Sequence, residues 1–508
     1  MIWYPISYQR SICCCNSYPL RGVSVPLRLY NTLSRSLEPF TPQQVGRVSI
    51  YACGVTVYDY CHLGHARSYV AWDVLRRYLT FLGYTVHYVQ NFTDIDDKIL
   101  RRAQENGESM AAVSDRYIAA YHADMAQLNI LPATDYPRAT AVIPAIIDLI
   151  QTLIDSGCAY VANGDVYYAV EQFPNYGKLS GRHLSQLMAG ASGRVEEADQ
   201  RKRHPLDFAL WKAAKPEEAK VYEPWPSPWG AGRPGWHIEC SAMVQQAFGT
   251  TVDIHCGGMD LIFPHHENEI AQSEAASQRP LARFWLHNGF VTVNAEKMSK
   301  SLGNFTTIRN LLQQGVDPMA LRLLVLQAQY RKPLDFTETA LEAAAKGWQT
   351  LAEALQLHQT LPLDPTGAIA VKDHPSTAAF CGAMDDDLNT AAALAVLFDL
   401  AKSLNREQHR YLHGGELGRS LRDLSGDWHT LTSLAQVLGL EVKTTDTSER
   451  GLSEQEIEAL IQERNAARKA KNYAESDRLR DVLLAQGIKL VDQKDGSTHW
   501  FRVPIPSA

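Results

Sequence analysis

Tyr51-Ala52-Cys53-Gly54-Val55-Thr56-Val57-Tyr58-Asp59 runs through Tyr60 and Cys61 into His62-Leu63-Gly64-His65. Residues 49–60 read as a buried strand that breaks at Gly54, and residues 68–81 read as a helix. The His-x-Gly-His therefore falls at a strand-to-helix turn, where backbone N–H groups and the helix dipole favour phosphate. Gly64 lets the backbone approach a nucleotide without a Cβ in the way. His62 and His65 can donate to phosphate oxygens as negative charge builds during attack on an α-phosphate. Residues 86–90 are the next apolar, β-branched run, so strand, helix and strand make a βαβ unit and predict a parallel, doubly wound sheet. Far downstream, Lys297-Met298-Ser299-Lys300-Ser301 lies on a Gly- and Ser-flanked loop, where Lys297 and Lys300 can close over a leaving pyrophosphate. Together the two motifs predict an ATP site made from two halves of one sheet. The competing reading is a buried histidine pair and an ordinary solvated loop.

Composition bounds the rest. A chain of 508 residues has room for three or more domains with proper cores. Its net charge of −7 excludes a polybasic nucleic-acid coat but not a nucleic-acid ligand, which needs only local positive patches. No apolar run approaches bilayer length, which excludes an integral membrane protein of the helical kind. Nine cysteines without a dense spacing pattern do not read as a secreted disulfide framework, and a reducing, cytoplasmic compartment is expected. Residues 1–25 stand apart: Arg10, Arg21, several serines, no acidic residue and the run Cys13-Cys14-Cys15. They read as a disordered extension, with an organellar transit peptide as the alternative.

Residues 91–97, Asn-Phe-Thr-Asp-Ile-Asp-Asp, place polar groups at the carboxyl edge of the sheet, where ligands of such folds bind. Thr93 and Asp94 are candidates for substrate contact, and an acidic helix start is the other reading of the aspartates. Residues 139–225 interrupt the sheet, which resumes through 252–255 and 289–293. Residues 337–438 carry helix-period runs and predict an antiparallel bundle. Residues 441–452 read as a linker. The last segment, 453–508, predicts one long helix and a strand-turn-strand ending at Trp500-Phe501-Arg502.

Cys53 at a strand end, Cys240 at the start of a helical stretch, and His265 with Glu269 four residues apart on one helix face are candidate metal ligands. Two thiolates, an imidazole and a carboxylate suit Zn²⁺. Small buried thiols and a surface pair are the alternative, since the long gaps lack the force of a local Cys-x-x-Cys.

Three further stretches narrow the reading: Asn91-Phe92-Thr93-Asp94-Ile95-Asp96-Asp97-Lys98-Ile99, Gly235-Trp236-His237-Ile238-Glu239-Cys240-Ser241-Ala242-Met243 and Phe263-Pro264-His265-His266-Glu267-Asn268-Glu269. With the two ATP motifs, they resemble the cysteinyl-tRNA synthetases of the class I aminoacyl-tRNA synthetase family, in the family's order, from about residue 27 to the C-terminus. The resemblance implies an α/β fold: a Rossmann-like parallel-sheet catalytic domain with an insertion, then a helical bundle and a small C-terminal α+β module. The division that follows is an extension over 1–25, catalytic halves over 26–138 and 226–310, and an insertion over 139–225. A stem-contact segment over 311–345, a bundle over 346–440 and an anticodon-binding module over 453–508 complete it.

The implied activity is cysteine–tRNA ligation, with ATP, L-cysteine and tRNA(Cys) as substrates, one Zn²⁺ per chain, Mg²⁺ with ATP, and a monomeric protein. Cys53, Cys240, His265 and Glu269 would hold zinc. His62, His65, Lys297 and Lys300 would be catalytic, with Gly64 and Asp260 at ATP. Gly54, Thr56, Thr93 and Trp236 would contact the amino acid, and Arg464, Arg468 and Lys471 on the C-terminal helix would contact tRNA. His237, His255, His266, Cys61 and Cys256 fall near the metal without an assigned role. Cys256 departs from the family, which has glycine there, and reads as filling space, with ligation the alternative. No segment reads as an editing domain. Two rivals stand: a small-molecule cysteine ligase, which would have no need of residues 453–508, and a noncatalytic RNA-binding relative, which would not need both ATP motifs intact.

Overall fold

The computed structural model describes residues 26–182, 201–294, 296–297, 306–364, 371–442, 452–492 and 498–502. The extension over 1–25, Lys300, and most of the linker expected over 441–452 lie outside the described residues. A short hairpin, β1 (Arg28–Asn31) and β2 (Ser36–Pro39), precedes the first βαβ unit. That unit is β3 (Arg47–Thr56), α1 (Leu63–Phe81) and β4 (Thr85–Thr93), with β3 and β4 parallel. The expected break at Gly54 does not occur. The strand continues to Thr56 through a register shift between Ala52 and Val55, and the Gly54 N–H donates to Asn91 Oδ1 at 2.8 Å. A Cβ at Gly54 would overlap the carbonyl oxygen of Asn91, so close strand contact alone demands glycine here.

Two helices follow, α2 (Asp97–Asn106) and α3 (Met110–Gln127). Asp96 caps α2 by accepting from the Lys98 N–H. Asp94 accepts from the Thr140 N–H and hydroxyl, and Asp97 pairs with Lys212 and Arg233. The acidic cluster thus has structural partners, and Asp94 is occupied by Thr140 rather than left for a substrate.

After α4 (Ile143–Asp155), four strands, β5 (Ala159–Ala162), β6 (Asp165–Tyr168), β7 (Phe208–Ala213) and β8 (Gly232–Pro234), form an antiparallel sheet in sequential order. The chain then returns through α5 (Trp236–Phe248), β9 (Val252–Gly258), α6 (Glu267–Ser277) and β10 (Ala282–Asn288). The central sheet has the order β10-β9-β3-β4, all parallel. The sequence reading placed residues 289–293 in this sheet; its edge is instead β10. Six of the seven residues of β10 are buried, so it shows no alternation, and its arginine, histidine and asparagine obscure the apolar run. Residues 291–293 belong to a small separate sheet: β11 (Val291–Val293) pairs with β12 (Glu296–Lys297).

Beyond α7 (Ile308–Gln313) and α8 (Pro318–Leu326), β13 (Leu334–Phe336) lies parallel to β11. Arg67 of α1, buried, reaches the turn before β13. Its guanidinium donates to the carbonyls of Val325, Ala328, Gln329 and Lys332. The bundle comprises α9 (Glu338–Leu355), α10 (Pro375–Asp385), α11 (Thr390–Leu412) and α12 (Leu421–Val437), capped by Thr337, His374, Asn389 and Ser420. On α11 the buried Leu394, Leu397, Leu400, Ala401 and Leu404 fall on one helical stripe.

The final module holds two helices, α13 (Glu454–Lys469) and α14 (Tyr473–Ala485), where the sequence predicted one. Lys471 breaks the helix by adopting φ 59°, and Asn472 caps α14. A hairpin of β14 (Ile488–Asp492) and β15 (Thr498–Arg502) packs with them around Ile457, Ile461, Leu483, Ile488 and Leu490. Among the described residues, no helix is long and apolar enough to cross a membrane.

Candidate active site

The first ATP motif starts α1 five residues earlier than predicted, and it does so by capping. His62 is the N-cap: its Nδ1 accepts from the Gly64 N–H at 3.0 Å, while His65 Nδ1 accepts from the His62 N–H at 3.2 Å. This is a capping box in which histidines stand at both positions. The two rings stack, 3.9 Å between centroids and 25° between planes. A ring accepting at Nδ1 must be neutral with its proton on Nε2, the atom that would meet a phosphate oxygen. Burial, reinforced by His62 and Lys98, holds the pKa of His65 well below the usual histidine range. The N–H of Gly64 is committed to His62.

Residues just past the lysine loop are stitched to this motif. The Ile308 N–H donates to the Cys61 carbonyl at 2.9 Å, and His62 pairs with Thr307 in an antiparallel bridge. On the entry side, Lys297 pairs with Thr292 of β11. Both flanks of the loop are thereby held by backbone pairing, one of them at the first ATP motif. Lys300 itself is outside the described residues.

Cys53 sits in the β3 register shift, Cys240 in the second turn of α5, and His265 in the turn that leads into α6. Their donor atoms and a Glu269 oxygen all lie within 4.8 Å of one another. The thiol sulfurs are 3.9 Å apart, His265 Nε2 is 3.0 Å from Glu269 Oε1, and Cys53 Sγ is 3.6 Å from the same oxygen. Cys53 is the most open of the four at 8 % exposed. The donor set is one that a divalent metal takes. Hydrogen bonding from Cys53, against burial, lowers Cys240 to about 6, while burial and the Cys240 bond push Cys53 well up. Burial opposes charge on His265, but Glu269 and Cys240 outweigh it and raise it to about 9. Against burial, His255 and His265 keep Glu269 well below the usual carboxylate range. The cluster accordingly favours a cation, and an entering metal would displace protons from His265 and Cys53.

The unassigned neighbours now have places. His255 Nε2 lies 2.9 Å from Glu269 Oε2, His266 Nε2 lies 3.3 Å from Cys53 Sγ, and His237 Nδ1 lies 3.0 Å from His265 Nδ1. Cys53, His255, His266 and Glu269 make a second, overlapping set of close donors. Cys256 and Cys61 are buried and belong to neither set. Trp236 stacks on His265, 4.0 Å between centroids. The Thr93 hydroxyl donates to Glu239 Oε2 at 3.0 Å, and Glu239 is fully buried with Oε1 unpartnered. Thr56 is half-buried at the end of β3, and Asp260 is exposed in the turn after β9. Sequence reasoning missed Glu239 and also His287, whose Nε2 lies 2.8 Å from His266 Nδ1. A carboxylate inside the apolar Ile238–Met243 run was a usable signal for Glu239; nothing marked His287.

Arg464, Arg468 and Lys471, whose i, i+4 and i+7 spacing would put them on one basic face of a single helix, do not form one. Arg464 is 4 % exposed and grips Asp492 with two hydrogen bonds, 2.7 and 2.8 Å long. Arg468 is exposed and also bonds Asp492, and Lys471 lies past the helix end. A helix-period count could not anticipate the break at residue 471.

Residues 39–346 match the family model of the tRNA synthetases class I (C) catalytic domain, and residues 379–443 match the DALR domain. The chain is 79 % identical over 483 residues to the cysteine–tRNA ligase of Thermosynechococcus vestitus, covering 94 % of this chain and 99 % of the relative. It belongs to the cysteine–tRNA ligase family. The cysteine–tRNA ligase of a Cyanothece species is 62 % identical, with 94 % and 100 % covered. Two solved structures resemble the fold. Mycobacterium tuberculosis methionyl-tRNA synthetase with methionyl-adenylate gives a TM-score of 0.52 at 16 % identity, covering 78 % of this chain and 90 % of that one. The Agrobacterium radiobacter LeuRS–tRNA–LeuAMS complex gives 0.54 at 10 % identity, covering 79 % and 84 %. At those identities they speak for the fold alone. As a cysteine–tRNA ligase, the protein is an aminoacyl-tRNA synthetase that activates cysteine with ATP and transfers it to tRNA, which sets aside both rivals raised from the sequence.

Proposed function

We propose that this ligase selects cysteine through one zinc ion per chain, held by Cys53, Cys240, His265 and Glu269. The observation that carries the reading is the convergence of those four donors within 4.8 Å. Zinc bound there would supply a soft Lewis acid that takes the substrate thiolate in preference to the neutral hydroxyl of serine. An apolar pocket separates such close analogues by only about 1–3 kcal/mol. Trp236, Thr93, Thr56 and Gly54 surround the amino acid, and Asp260 accepts from the ribose or the substrate ammonium.

In the first step the cysteine carboxylate forms a bond to the α-phosphorus of ATP while the bond to the bridging oxygen of the β-phosphate breaks. His62 and His65, with Nδ1 tied to the backbone, donate from Nε2 to the phosphate oxygens as charge accumulates. Lys297 and Lys300 neutralise the departing pyrophosphate, and Mg²⁺ accompanies ATP. In the second step a terminal ribose hydroxyl of tRNA(Cys) attacks the acyl carbon, and AMP leaves. The C-terminal module reads the anticodon region, with Arg468 and Lys471 as its exposed cations and Arg464 as the post that holds the hairpin. The enzyme works as a cytoplasmic monomer. Chain termination in the segment 441–452 tests the division of labour: cysteine-dependent ATP–pyrophosphate exchange should persist while tRNA charging falls sharply. Undiminished charging by the shortened protein would sink the anticodon role.

A further inference from the structure

Behind the metal cluster runs a chain of three hydrogen-bond contacts between residues that are remote in sequence. Thr32, just past β1, has its hydroxyl 2.8 Å from His287 Nδ1. His287 Nε2 is 2.8 Å from His266 Nδ1, and His266 Nε2 is 3.3 Å from Cys53 Sγ. Every ring nitrogen in the chain therefore has a partner. His266 and His287 are buried, and the Thr32 N–H donates to the Trp285 carbonyl at 2.9 Å, which fixes the threonine against β10.

We propose that Thr32 and His287 are positioning residues which, acting through His266, donate a hydrogen bond onto the Cys53 sulfur and so set how strongly that sulfur holds the metal. This inference rests on the reading of Cys53 as a metal ligand. The direction of the chain follows from proton counting. A cysteine joins a metal as a thiolate, which has no proton to give, so the His266–Cys53 contact must be Nε2–H to sulfur. A neutral His266 then has only an acceptor at Nδ1, and His287 must supply Nε2–H. That leaves His287 Nδ1 as an acceptor, and the Thr32 hydroxyl must be the donor. One metal-bound thiolate thereby determines both tautomers and the rotamer of a hydroxyl at the β10 edge of the sheet. In reverse, losing the hydroxyl leaves His287 Nδ1 as a buried acceptor without a partner and loosens the tautomer on which the N–H to sulfur depends. Groups bonded directly to a metal ligand, the place His266 takes here, typically change the affinity by about 10–100-fold, and Thr32 and His287 act on that bond through His266.

The test uses the full-length protein, with zinc affinity measured by chelator competition and the Co²⁺-substituted form read by its sulfur-to-cobalt charge-transfer band. Thr32→Val should weaken metal binding about tenfold and move the band to longer wavelength, because a sulfur relieved of its hydrogen bond is more electron-rich. Thr32→Ser, which keeps the hydroxyl, should restore both readings, and His287→Leu should give the larger loss. Should His287→Leu not fold, Thr32→Val against Thr32→Ser decides the matter. Unchanged affinity and band in Thr32→Val, or an equal loss in Thr32→Ser, overturns the relay. Cys53→Ser and Cys240→Ser, run alongside, test the ligand reading separately: parental metal affinity in either one overturns that reading and the relay with it.

Discussion

Two pairs of histidines, one in the proposed ATP site and one in the proposed metal site, are built in opposite ways. His62 and His65 are tied by Nδ1 to backbone N–H groups within three residues, so a short stretch of sequence holds its own side chains in place. His265 and His266 bond side chains instead, and apart from the nearby Glu269 these come from far along the chain: His237, Cys53 and His287. The first pair is organised as soon as a helix forms. The second needs the finished sheet, because its partners lie on β3, α5 and β10. Local construction suits a site that handles phosphate, a charge common to every nucleotide. Construction from distant parts suits a site that must tell one amino acid from another.

The largest test of this contrast is Cys240→Ala, which should abolish stoichiometric zinc and lower cysteine activation about 1,000-fold, near 4 kcal/mol. Metal analysis beside pyrophosphate exchange reads both, and full zinc with normal exchange would break the assignment. In the parent enzyme the metal affinity should fall as pH falls, because His265, raised to about 9, and Cys53, also raised, must each give up a proton to a metal. Affinity flat between pH 6 and 9, taken by competition titration, would contradict it. Next in size is Lys300→Ala, with exchange turnover about 100-fold lower and the KM for cysteine nearly unchanged, since the ammonium is needed chiefly as pyrophosphate leaves. His65→Asn should cost about 30-fold in exchange turnover while zinc stays fully bound; loss of zinc there would blur the proposed independence of the two pairs.

The smallest effect belongs to the C-terminal module. Asp492 is held well below the usual carboxylate range, chiefly by its bonds from Arg464. A carboxyl depressed on folding adds stability above its unfolded pKa of about 4 and loses it as pH falls below that value. Asp492→Asn should therefore lower the unfolding midpoint of the module slightly at pH 7, remove part of its acid sensitivity, and leave cysteine activation untouched. Calorimetry at pH 7 and pH 3 makes the comparison.

The same contrast explains what the sequence could tell. The βαβ unit was legible because β3, α1 and β4 keep their periodicities, and the closeness of Cys53, Cys240, His265 and Glu269 could be expected from the order of the motifs that carry them. The role of Gly54 was not, since its reason lies in the backbone of Asn91 on the next strand. His287 was invisible because a histidine in a buried strand has no local signature. Arg464 misled because helical spacing says which residues share a face but not whether a carboxylate from a later hairpin will cover it. The helix break at Lys471 depends on a left-handed backbone in a residue type that rarely takes it.

Arg67 has a consequence for how the enzyme opens. Its charge is answered by four main-chain carbonyls at the end of α8 and the turn beyond, a segment more than two hundred and fifty residues away in the chain. If that turn unfolded alone, it would strand an interior cation, at a cost of several kcal/mol. If α1 frayed alone, four carbonyls would lose their donor. The helix that follows the His-x-Gly-His motif and the turn that leads into the β11–β13 sheet are thus one cooperative unit. Their slowest amides should exchange with deuterium at a common rate, in a single shared opening.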